Sequence, residues 1–366
     1  MDPRRGAADR PYPVGVDALP TIETASDELR RRALDPPMRF GEGILDEVLA
    51  AEEPYVLVTQ PQPLALLDPG LRERPLATRI VDSLEHAALD RLVAGLPDGE
   101  TVVGLGGGMA IDAAKYVAWV RGTRLVLVPG IVSVDACVTN TIAVREWGRV
   151  VYRGWVVPDL VAVDFAIVRA APPRLNRAGL GDVLSIHTAL WDWRRGGEAG
   201  KARFVPAIAR RSRAALEGVM ALAPAIGEVA DAALEAIVRT YALVNGLCVE
   251  VRHSQPQEGS EHYVAYRLEA LTGRGFVHGE VLGLGGVLMA TLQRNDPGRV
   301  AATLDAARVG WRPADLEIDR STLERALVGL PAFIRESGLP YSVIDEADLS
   351  PVGVERLLAT SPGLWS

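Results

Sequence analysis

Several residue types that mark particular protein classes are scarce in this chain. Its 366 residues include two cysteines, Cys137 and Cys248, which form no CxxC pair, so a disulfide framework is excluded and a reducing compartment fits. The 39 basic residues include only two lysines, Lys115 and Lys201. A formal net charge of -8 and a pI near 5.3 argue against nucleic acid as a partner, because phosphate backbones require a basic surface.

Long apolar stretches are also missing. No segment reaches the roughly 18 uninterrupted apolar residues of a membrane span, and the first residues, Met1 to Arg5, lack the apolar run of a signal peptide. We therefore expect a cytoplasmic protein without a membrane partner. The composition, 48% hydrophobic and 23% charged, is that of an ordinary globular protein, and the length suggests about two domains.

The first half of the chain alternates short apolar runs with helical patterns. Residues 1–36 are rich in Pro, Arg and Asp and are expected to form a loosely ordered lead-in. The runs rich in Val, Ile and Leu that follow are predicted strands: 55–59, 78–81, 101–105, 124–129 and 160–163. Helices are predicted at 84–96 and 109–120, and weak alternation over 140–153 suggests a β-hairpin. Continuous apolar runs separated by helices indicate parallel strands covered on both faces.

The pattern of predicted elements changes from mixed strands and helices to helices alone after Pro172-Pro173. This pair marks a natural boundary, because a proline pair interrupts both helix and sheet. The candidate helices beyond it, with no convincing strand among them, are 174–195, 201–222, 229–252, 260–271, 279–294 and 321–337. We therefore predict a lead-in, an α/β nucleotide-type domain over 37–171 and an all-α domain over 172–366. Ligands of open α/β sheets bind beyond the carboxyl ends of the strands, so the active site is expected in the cleft between the domains.

A glycine-rich sequence, Gly104–Lys115, joins a predicted strand to a predicted helix. Glycines without Cβ let backbone N–H groups approach a pyrophosphate, and the helix N-terminus adds partial positive charge. The spacing is neither GxGxxG nor a P-loop, so a strand–helix turn without a ligand is an equal alternative. Asp112 and Lys115 lie three residues apart on one helical face, which is also consistent with a surface ion pair.

Candidate metal ligands are scattered over the helical half. Of five histidines, His262 and His278 lie at or near predicted helix starts, in Gly-Ser-Glu-His and His-Gly-Glu, while Asp182 follows Gly-Leu-Gly. Two imidazoles and one carboxylate with open positions suit a catalytic Zn²⁺ or Fe²⁺ ion. A histidine at a helix end is more often a hydrogen-bonded cap, and an aspartate after glycine a turn residue, so spacing alone leaves both interpretations open.

Asp135 follows the predicted strand that ends near Val128. Loops at strand ends in such a sheet carry ligand-binding groups, and a carboxylate there accepts hydrogen bonds from substrate hydroxyls. The alternative is an Asx-turn residue with no ligand.

Taken in order, these motifs resemble the superfamily of iron-containing alcohol dehydrogenases, glycerol dehydrogenases and dehydroquinate synthases, and above all its glycerol-1-phosphate dehydrogenase branch. The segments that carry the resemblance are Gly106–Lys115, Ser133–Ala136, Gly179–Asp182, Leu190–Arg194, Gly259–His262 and His278–Glu280. It extends over residues 38–294, and a set of motifs in a fixed order is far more specific than any one of them.

The resemblance implies a dehydroquinate synthase-like fold and an NAD- or NADP-linked oxidoreductase acting on a small polyol or its ketone. The expected substrates are sn-glycerol 1-phosphate and dihydroxyacetone phosphate, or a related polyol or cyclitol. The resemblance also implies one divalent ion, with Zn²⁺ favoured over Fe²⁺, as a Lewis acid on the substrate oxygen. The residues it assigns are Gly106, Gly107, Gly108 and Asp112 to the dinucleotide, Asp182, His262 and His278 to the metal, and Asp135 and Lys115 to catalysis. A homo-oligomer is also expected.

Some positions depart from the pattern of that branch. Pro129-Gly130 stands where Pro-Thr or Pro-Ser is usual, and Gln255 replaces the arginine of Ser-Arg-Pro. Tyr266 occupies the position of a second histidine, and Glu258 adds a carboxylate. Because lost cations and a gained carboxylate disfavour a phosphate dianion, we expect little preference for phosphorylated substrates.

The alternative function is that of a dehydroquinate synthase-like sugar-phosphate cyclase, a lyase that uses NAD transiently. Those enzymes follow Val-Asp-Ala-Ser-Val with Gly-Gly-Lys, whereas Val138-Thr139-Asn140 contains no lysine. A non-catalytic nucleotide-binding module would need no metal ligands. Both alternatives are therefore less favoured than the dehydrogenase.

Overall fold

The computed structural model of this chain describes residues 26–146 and 149–366. They divide into two compact units, one built from the described part of 15–176 together with 241–249, the other containing 177–240 and 250–366. Every strand among the described residues lies in the first unit, and the second is built from helices and turns. This confirms the predicted α/β and all-α parts of the chain. The cleft between them stays a prediction.

The first unit is organised around one parallel sheet. Its strands, with those of a separate hairpin, are β1 (Met38–Gly41), β2 (Tyr55–Thr59), β3 (Ala77–Ile80), β4 (Thr101–Gly106), β5 (Arg124–Pro129), β6 (Thr141–Glu146), β7 (Arg149–Trp155) and β8 (Leu160–Asp164). The sheet order is β1-β8-β5-β4-β2-β3, and β6 pairs with β7 in the antiparallel hairpin. The central strands β2 and β4 are buried along their whole length, as expected for strands covered on both faces.

Helices surround this sheet. They are α1 (Asp27–Leu34), α2 (Leu45–Ala51), α3 (Pro61–Leu66), α4 (Pro69–Glu73), α5 (His86–Ala94), α6 (Gly108–Arg121), α7 (Phe165–Ala170) and α8 (Pro173–Arg177). The predicted strands and the hairpin are confirmed, whereas the short β1 had no apolar run to predict it. Contrary to the expected loose lead-in, α1 is a capped helix, because the Ser26 side chain accepts a hydrogen bond from Leu29 N. The rest of the lead-in, residues 1–25, lies outside the described residues.

The helices of the second unit are α9 (Gly179–Glu198), α10 (Pro206–Met220), α11 (Ala223–Gly227), α12 (Asp231–Val251), α13 (Ser260–Thr272), α14 (His278–Gln293), α15 (Pro297–Ala306), α16 (Arg320–Val328), α17 (Leu330–Ser337) and α18 (Pro351–Thr360). The middle of α12, residues 241–249, belongs to the first unit. The single helix predicted over 321–337 is wrong. Gly329 ends α16, and a proline in the first turn of α17 starts a new helix.

One described helix, Asp231–Val251, has the length and apolar composition of a membrane span. Of its most apolar window, 61% is buried inside the protein, and core helices share that property. Asp231, Glu235 and Arg239 interrupt its apolar sequence, so it contains no uninterrupted apolar run of membrane-spanning length.

Candidate active site

The glycine-rich loop lies at the carboxyl end of β4, where the sheet changes direction. After β2 the chain continues to β3 at one edge, whereas after β4 it continues to β5 on the opposite side. Neighbouring strands whose connections leave in opposite directions open a crevice that is the usual ligand site of parallel sheets. Gly106 ends β4, Gly107 precedes α6 and Gly108 is its first residue. The loop therefore lies at this crevice.

The backbone at Gly106 requires glycine. The φ angle of Gly106 is 144°, and a Cβ there would lie 3.0 Å from the Cβ of Ala110. The N–H of Gly107 donates to Gln60 Oε1 at 3.3 Å, and no side chain caps α6. Since the first N–H groups of a helix lack helical partners and carry partial positive charge, the start of α6 suits an anionic pyrophosphate.

Asp112 and Lys115 form a buried ion pair, not a surface pair. Lys115 Nζ lies 2.8 Å from Asp112 Oδ1, and the two side chains are 0% and 9% exposed. Nζ also donates to the Ala136 carbonyl at 3.1 Å and to Thr139 Oγ1 at 3.3 Å. Burial raises the pKa of the Asp112 carboxyl, and Lys115 opposes that rise. Both side chains are thus engaged inside the protein, so their predicted contacts with ligands stay predictions.

The same ion pair holds the turn that carries Asp135. This residue starts a 3-10 turn, Asp135–Cys137, and its carbonyl accepts hydrogen bonds from the N–H groups of Val138 and Thr139 at 2.9 and 3.2 Å. The turn lies beside the glycine loop, since a Cβ on Gly108 would lie 3.4 Å from Val134 Cγ1. The structure therefore brings Asp135, which is half-buried, close to the predicted dinucleotide loop.

In the helical unit, Asp182, His262 and His278 converge on one point. One potential ligand atom from each lies within 4.8 Å of the others. His278 Nε2 is 3.9 Å from Asp182 Oδ1, and the two imidazole rings are 5.3 Å apart. The three residues stand in the first turns of α9, α13 and α14. This donor set and spacing suit a divalent cation with further positions open.

Direct backbone contact between α9 and α14 creates this convergence. A Cβ on Gly181 would lie 1.7 Å from the carbonyl oxygen of Gly279, and a Cβ on Gly279 would lie 1.7 Å from that of Ala178. No real Cβ tolerates such distances, so both positions require glycine. Because each glycine adjoins a member of the triad, the contact sets the separation of Asp182 and His278.

A buried carboxylate orients His262. Glu261, which is fully buried, accepts hydrogen bonds from His262 Nδ1 at 2.8 Å, from Gly259 N at 2.6 Å and from the Thr188 hydroxyl. By occupying Nδ1 it leaves Nε2 of His262 as the ligand atom, and such partners fix ring orientation in metal sites. Glu261 is therefore a positioning residue.

Asp192 anchors the start of α13, the helix that carries His262. Its carboxylate accepts hydrogen bonds from Ser260 N at 2.9 Å, from Ser260 Oγ at 2.5 Å and from Val343 N at 2.8 Å. Burial raises the pKa of Asp192 to about 7, although the Ser260 hydrogen bond opposes that rise. Asp192 lies in Leu190–Arg194, one of the segments that carry the family resemblance. That segment thus has a structural role beside the triad.

The electrostatic field at the triad favours a cation. Burial disfavours a charged His262, but the carboxylates of Glu258, Glu261 and Asp182 together raise its pKa to about 9. Burial, followed by the neighbouring His262, lowers the pKa of His278 to about 3. Two adjacent imidazoles do not both hold a proton, whereas a divalent ion satisfies both rings and the carboxylate together.

A further carboxylate, Glu258, adjoins the triad without belonging to it. Tyr266 Oη donates to Glu258 Oε1 at 2.6 Å, and the Tyr266 ring lies 6.0 Å from the ring of His262. Both side chains are half-buried. The structure thus places two of the departures from the glycerol-1-phosphate branch in contact with each other.

Some site residues were not predicted from the sequence. Gln60 and Thr188 carry no local motif, because their partners, Gly107 and Glu261, are distant along the chain. Gly130, one of the departures from the family pattern, packs against the glycine loop: a Cβ at that position would lie 3.3 Å from Gly106 Cα, and its N–H donates to the Gly106 carbonyl at 2.8 Å. The signal for Glu261 was available, since it stands inside the Gly-Ser-Glu-His segment.

Comparison with known proteins adds independent findings. A family model for iron-containing alcohol dehydrogenases matches residues 68–172. The NAD(P)+-linked glycerol-1-phosphate dehydrogenase of Hyperthermus butylicus is 30% identical over 256 residues, which are 70% of this chain and 72% of that protein. The protein of the same name from Aeropyrum pernix is 28% identical over 281 residues, which are 76% of this chain and 77% of that protein.

Solved structures show the same fold. A probable glycerol dehydrogenase from Sinorhizobium meliloti superposes with a TM-score of 0.65 at 23% identity, covering 89% of this chain and 97% of that one. Glycerol dehydrogenase from Schizosaccharomyces pombe superposes with a TM-score of 0.67 at 18% identity, covering 90% and 89%.

The glycine loop yields a binding prediction. In Gly107→Leu the added side chain obstructs access to the first N–H groups of α6, so NADH affinity should fall by about tenfold or more, on the order of 1.4 kcal/mol. Fluorescence titration with NADH measures this. Gly70→Leu is the matched control, because Gly70 is exposed and a Cβ there meets no atom within 4 Å. Equal affinity in the two variants would remove the assignment of the loop to pyrophosphate.

The helix contact yields a stability prediction. Gly279→Ala forces α9 and α14 apart, which should cost more than about 2 kcal/mol of unfolding free energy and also release bound metal. Urea denaturation and plasma-emission metal analysis measure the two effects. Gly275→Ala, where a Cβ meets nothing within 4 Å, should change neither. A Gly279→Ala protein with wild-type stability and metal content contradicts the role given to this contact.

Proposed function

The chain belongs to the iron-containing alcohol dehydrogenase family, and on that premise we propose that it transfers a hydride between NAD(P) and a small polyol or the corresponding ketone. The observation that carries the proposal is the convergence of Asp182, His262 and His278 within 4.8 Å. A nucleotide-binding module without catalysis has no need of such a cluster.

Asp182, His262 and His278 would hold one divalent ion in this proposal. Two imidazoles and a carboxylate favour Zn²⁺, with Fe²⁺ as the alternative, and leave at least one position open. The glycine contact between α9 and α14 fixes the spacing of the ligands, and Glu261 orients the His262 ring. When bound, the ion supplies Lewis-acid polarisation of a substrate oxygen, and the dinucleotide supplies the hydride chemistry.

The first unit would bind the dinucleotide. Gly106, Gly107 and Gly108 present the first N–H groups of α6 to the pyrophosphate. The buried pair of Asp112 and Lys115 would hold the turn that carries Asp135 in place, because its hydrogen bonds reach the Ala136 carbonyl, Thr139 Oγ1 and the N–H of Ala143. We assign to Asp135 the binding of a substrate hydroxyl.

The substrate class follows from the family. The curated relatives are named glycerol-1-phosphate dehydrogenases, so this chain is assigned a small polyol related to glycerol or its phosphate. The cyclase alternative receives no support from those relatives, which are dehydrogenases by name.

We place the enzyme in the cytoplasm as a homo-oligomer, with neither nucleic acid nor membrane as a partner. The acidic composition, with a net charge of -8, supports the exclusion of nucleic acid. Sedimentation velocity on the purified protein tests the oligomer. A single species with a mass near 39.2 kDa at micromolar concentration would contradict it.

The metal site yields the main functional prediction. His262→Ala should lower metal affinity by more than about 100-fold, because even outer-shell partners of metal ligands are worth roughly 10- to 100-fold. Turnover should fall with it, while NADH affinity stays unchanged because the glycine loop belongs to the other compact unit. Plasma-emission analysis, NADH titration and rates with a panel of polyols and ketones measure the three quantities.

His86→Ala is the control for this experiment, because His86 is an exposed histidine of the first unit. It should keep metal and turnover. The mechanism is wrong if wild-type protein turns over fully without stoichiometric metal, or if Asp182→Asn and His262→Ala both keep normal activity.

A further inference from the structure

A carboxylate stands beside the metal triad and has no role in holding it. Glu258 is linked to the triad through Tyr266, whose hydroxyl donates to it at 2.6 Å and whose ring lies 6.0 Å from that of His262. Tyr266 follows His262 by four residues on α13, so the two side chains share one helix face. Glu258 and Tyr266 are both half-buried, so both side chains are partly open to solvent.

Hydrogen bonds hold the loop before α13 in a defined shape. The N–H groups of Gln257 and Glu258 both donate to the carbonyl of Ser254 at 2.9 Å. Ser185 Oγ donates to the Gln257 carbonyl at 2.6 Å, and Ser212 Oγ donates to that of Pro256 at 2.7 Å. The backbone of Glu258 is therefore held in place, and the hydrogen bond from Tyr266 holds its carboxylate.

We propose that Glu258, held by Tyr266, makes this site select an uncharged polyhydroxylated substrate and reject a phosphorylated one. The inference rests on the proposed function and names its substrate class. It separates the chain from the glycerol 1-phosphate that the names of its relatives specify.

The chemistry of the carboxylate supports this selection. An ionised carboxylate has about four acceptor positions, so one hydrogen bond from Tyr266 leaves others for the hydroxyls of a polyol. A phosphate dianion offers acceptors and no donors, and like charges brought together at a binding site are strongly disfavoured. Glu258 thus attracts one class of ligand and repels the other.

The field of Glu258 reaches the triad itself. The Tyr266 ring, whose hydroxyl holds Glu258, stands 6.0 Å from the ring of His262, and Glu261 and Asp182 place two further carboxylates beside that imidazole. A ligand with one oxygen near Nε2 of His262 therefore lies within the same field. Any phosphate carried by such a ligand would need a cation strong enough to outweigh these carboxylates.

Paired substrates test the proposal in the zinc-loaded full chain. We expect kcat/KM for glycerol to equal or exceed that for glycerol 1-phosphate in the wild type. Glu258→Gln should shift the ratio toward the phosphate ester by about tenfold, and Glu258→Arg by more, because the change follows the charge. Glu250→Gln removes a carboxylate that is exposed and paired with Arg211, and it should leave the ratio unchanged.

Calorimetric titration of glycerol and glycerol 1-phosphate into the NAD-saturated, zinc-loaded proteins gives a readout independent of turnover. Glu258→Gln should tighten binding of the phosphate ester and not that of glycerol, with metal content unchanged. A wild-type preference of about a hundredfold or more for glycerol 1-phosphate, or an equal ratio in all variants, overturns the proposal. Absence of stoichiometric metal or of NADH binding in the wild type contradicts the proposed function instead, and the same titrations are then run on the proteins without metal and NAD, where an unchanged affinity for glycerol 1-phosphate in Glu258→Gln overturns the role of Glu258.

Discussion

At Gly181 and Gly279 the backbones of α9 and α14 touch without an intervening side chain, and the rest of the candidate metal centre depends on that contact. A single methyl group at either position would lie 1.7 Å from a carbonyl oxygen, so the helices approach this closely only with glycine at both. Asp182 and His278 are the chain neighbours of these glycines. Their separation, with 3.9 Å between Oδ1 and Nε2, is thus set by main-chain packing, which is stiffer than any side-chain arrangement.

Around this contact the helical unit buries two carboxyl groups that position the triad. Glu261 is fully enclosed and Asp192 nearly so, and such groups are costly to bury unless hydrogen bonds satisfy them. Each accepts three hydrogen bonds, which hold His262 and the start of α13 in place. The result is a hydrogen-bonded surround rich in carboxyl groups, which suits a divalent ion.

In the sheet unit, the start of α6 has no side-chain cap, and unpartnered backbone N–H groups at a helix start suit an anion. The loop at Gly106 ends the strand beside the switch in sheet direction, and the buried pair of Asp112 and Lys115 ties α6 to the turn of Asp135. Lys115, one of the two lysines of the chain, is therefore buried inside the protein.

The sequence by itself determined the kind of most elements, although not of α1 or β1, and singled out most of the candidate site residues, although not Gln60 or Thr188. Apolar runs predicted the central strands, because strands buried on both faces need no polar positions, and motifs in a fixed order singled out Asp182, His262 and His278. Only the tertiary structure decided that these three meet, that Lys115 is buried and internally bonded, and that Glu258 contacts Tyr266. The physical reason is that hydrophobic periodicity and the positions of glycines are local properties, which can be read from the order of residues along the chain. Ligand distances, hydrogen-bond partners and local fields arise between residues far apart along the chain, and they exist only once the helices have packed.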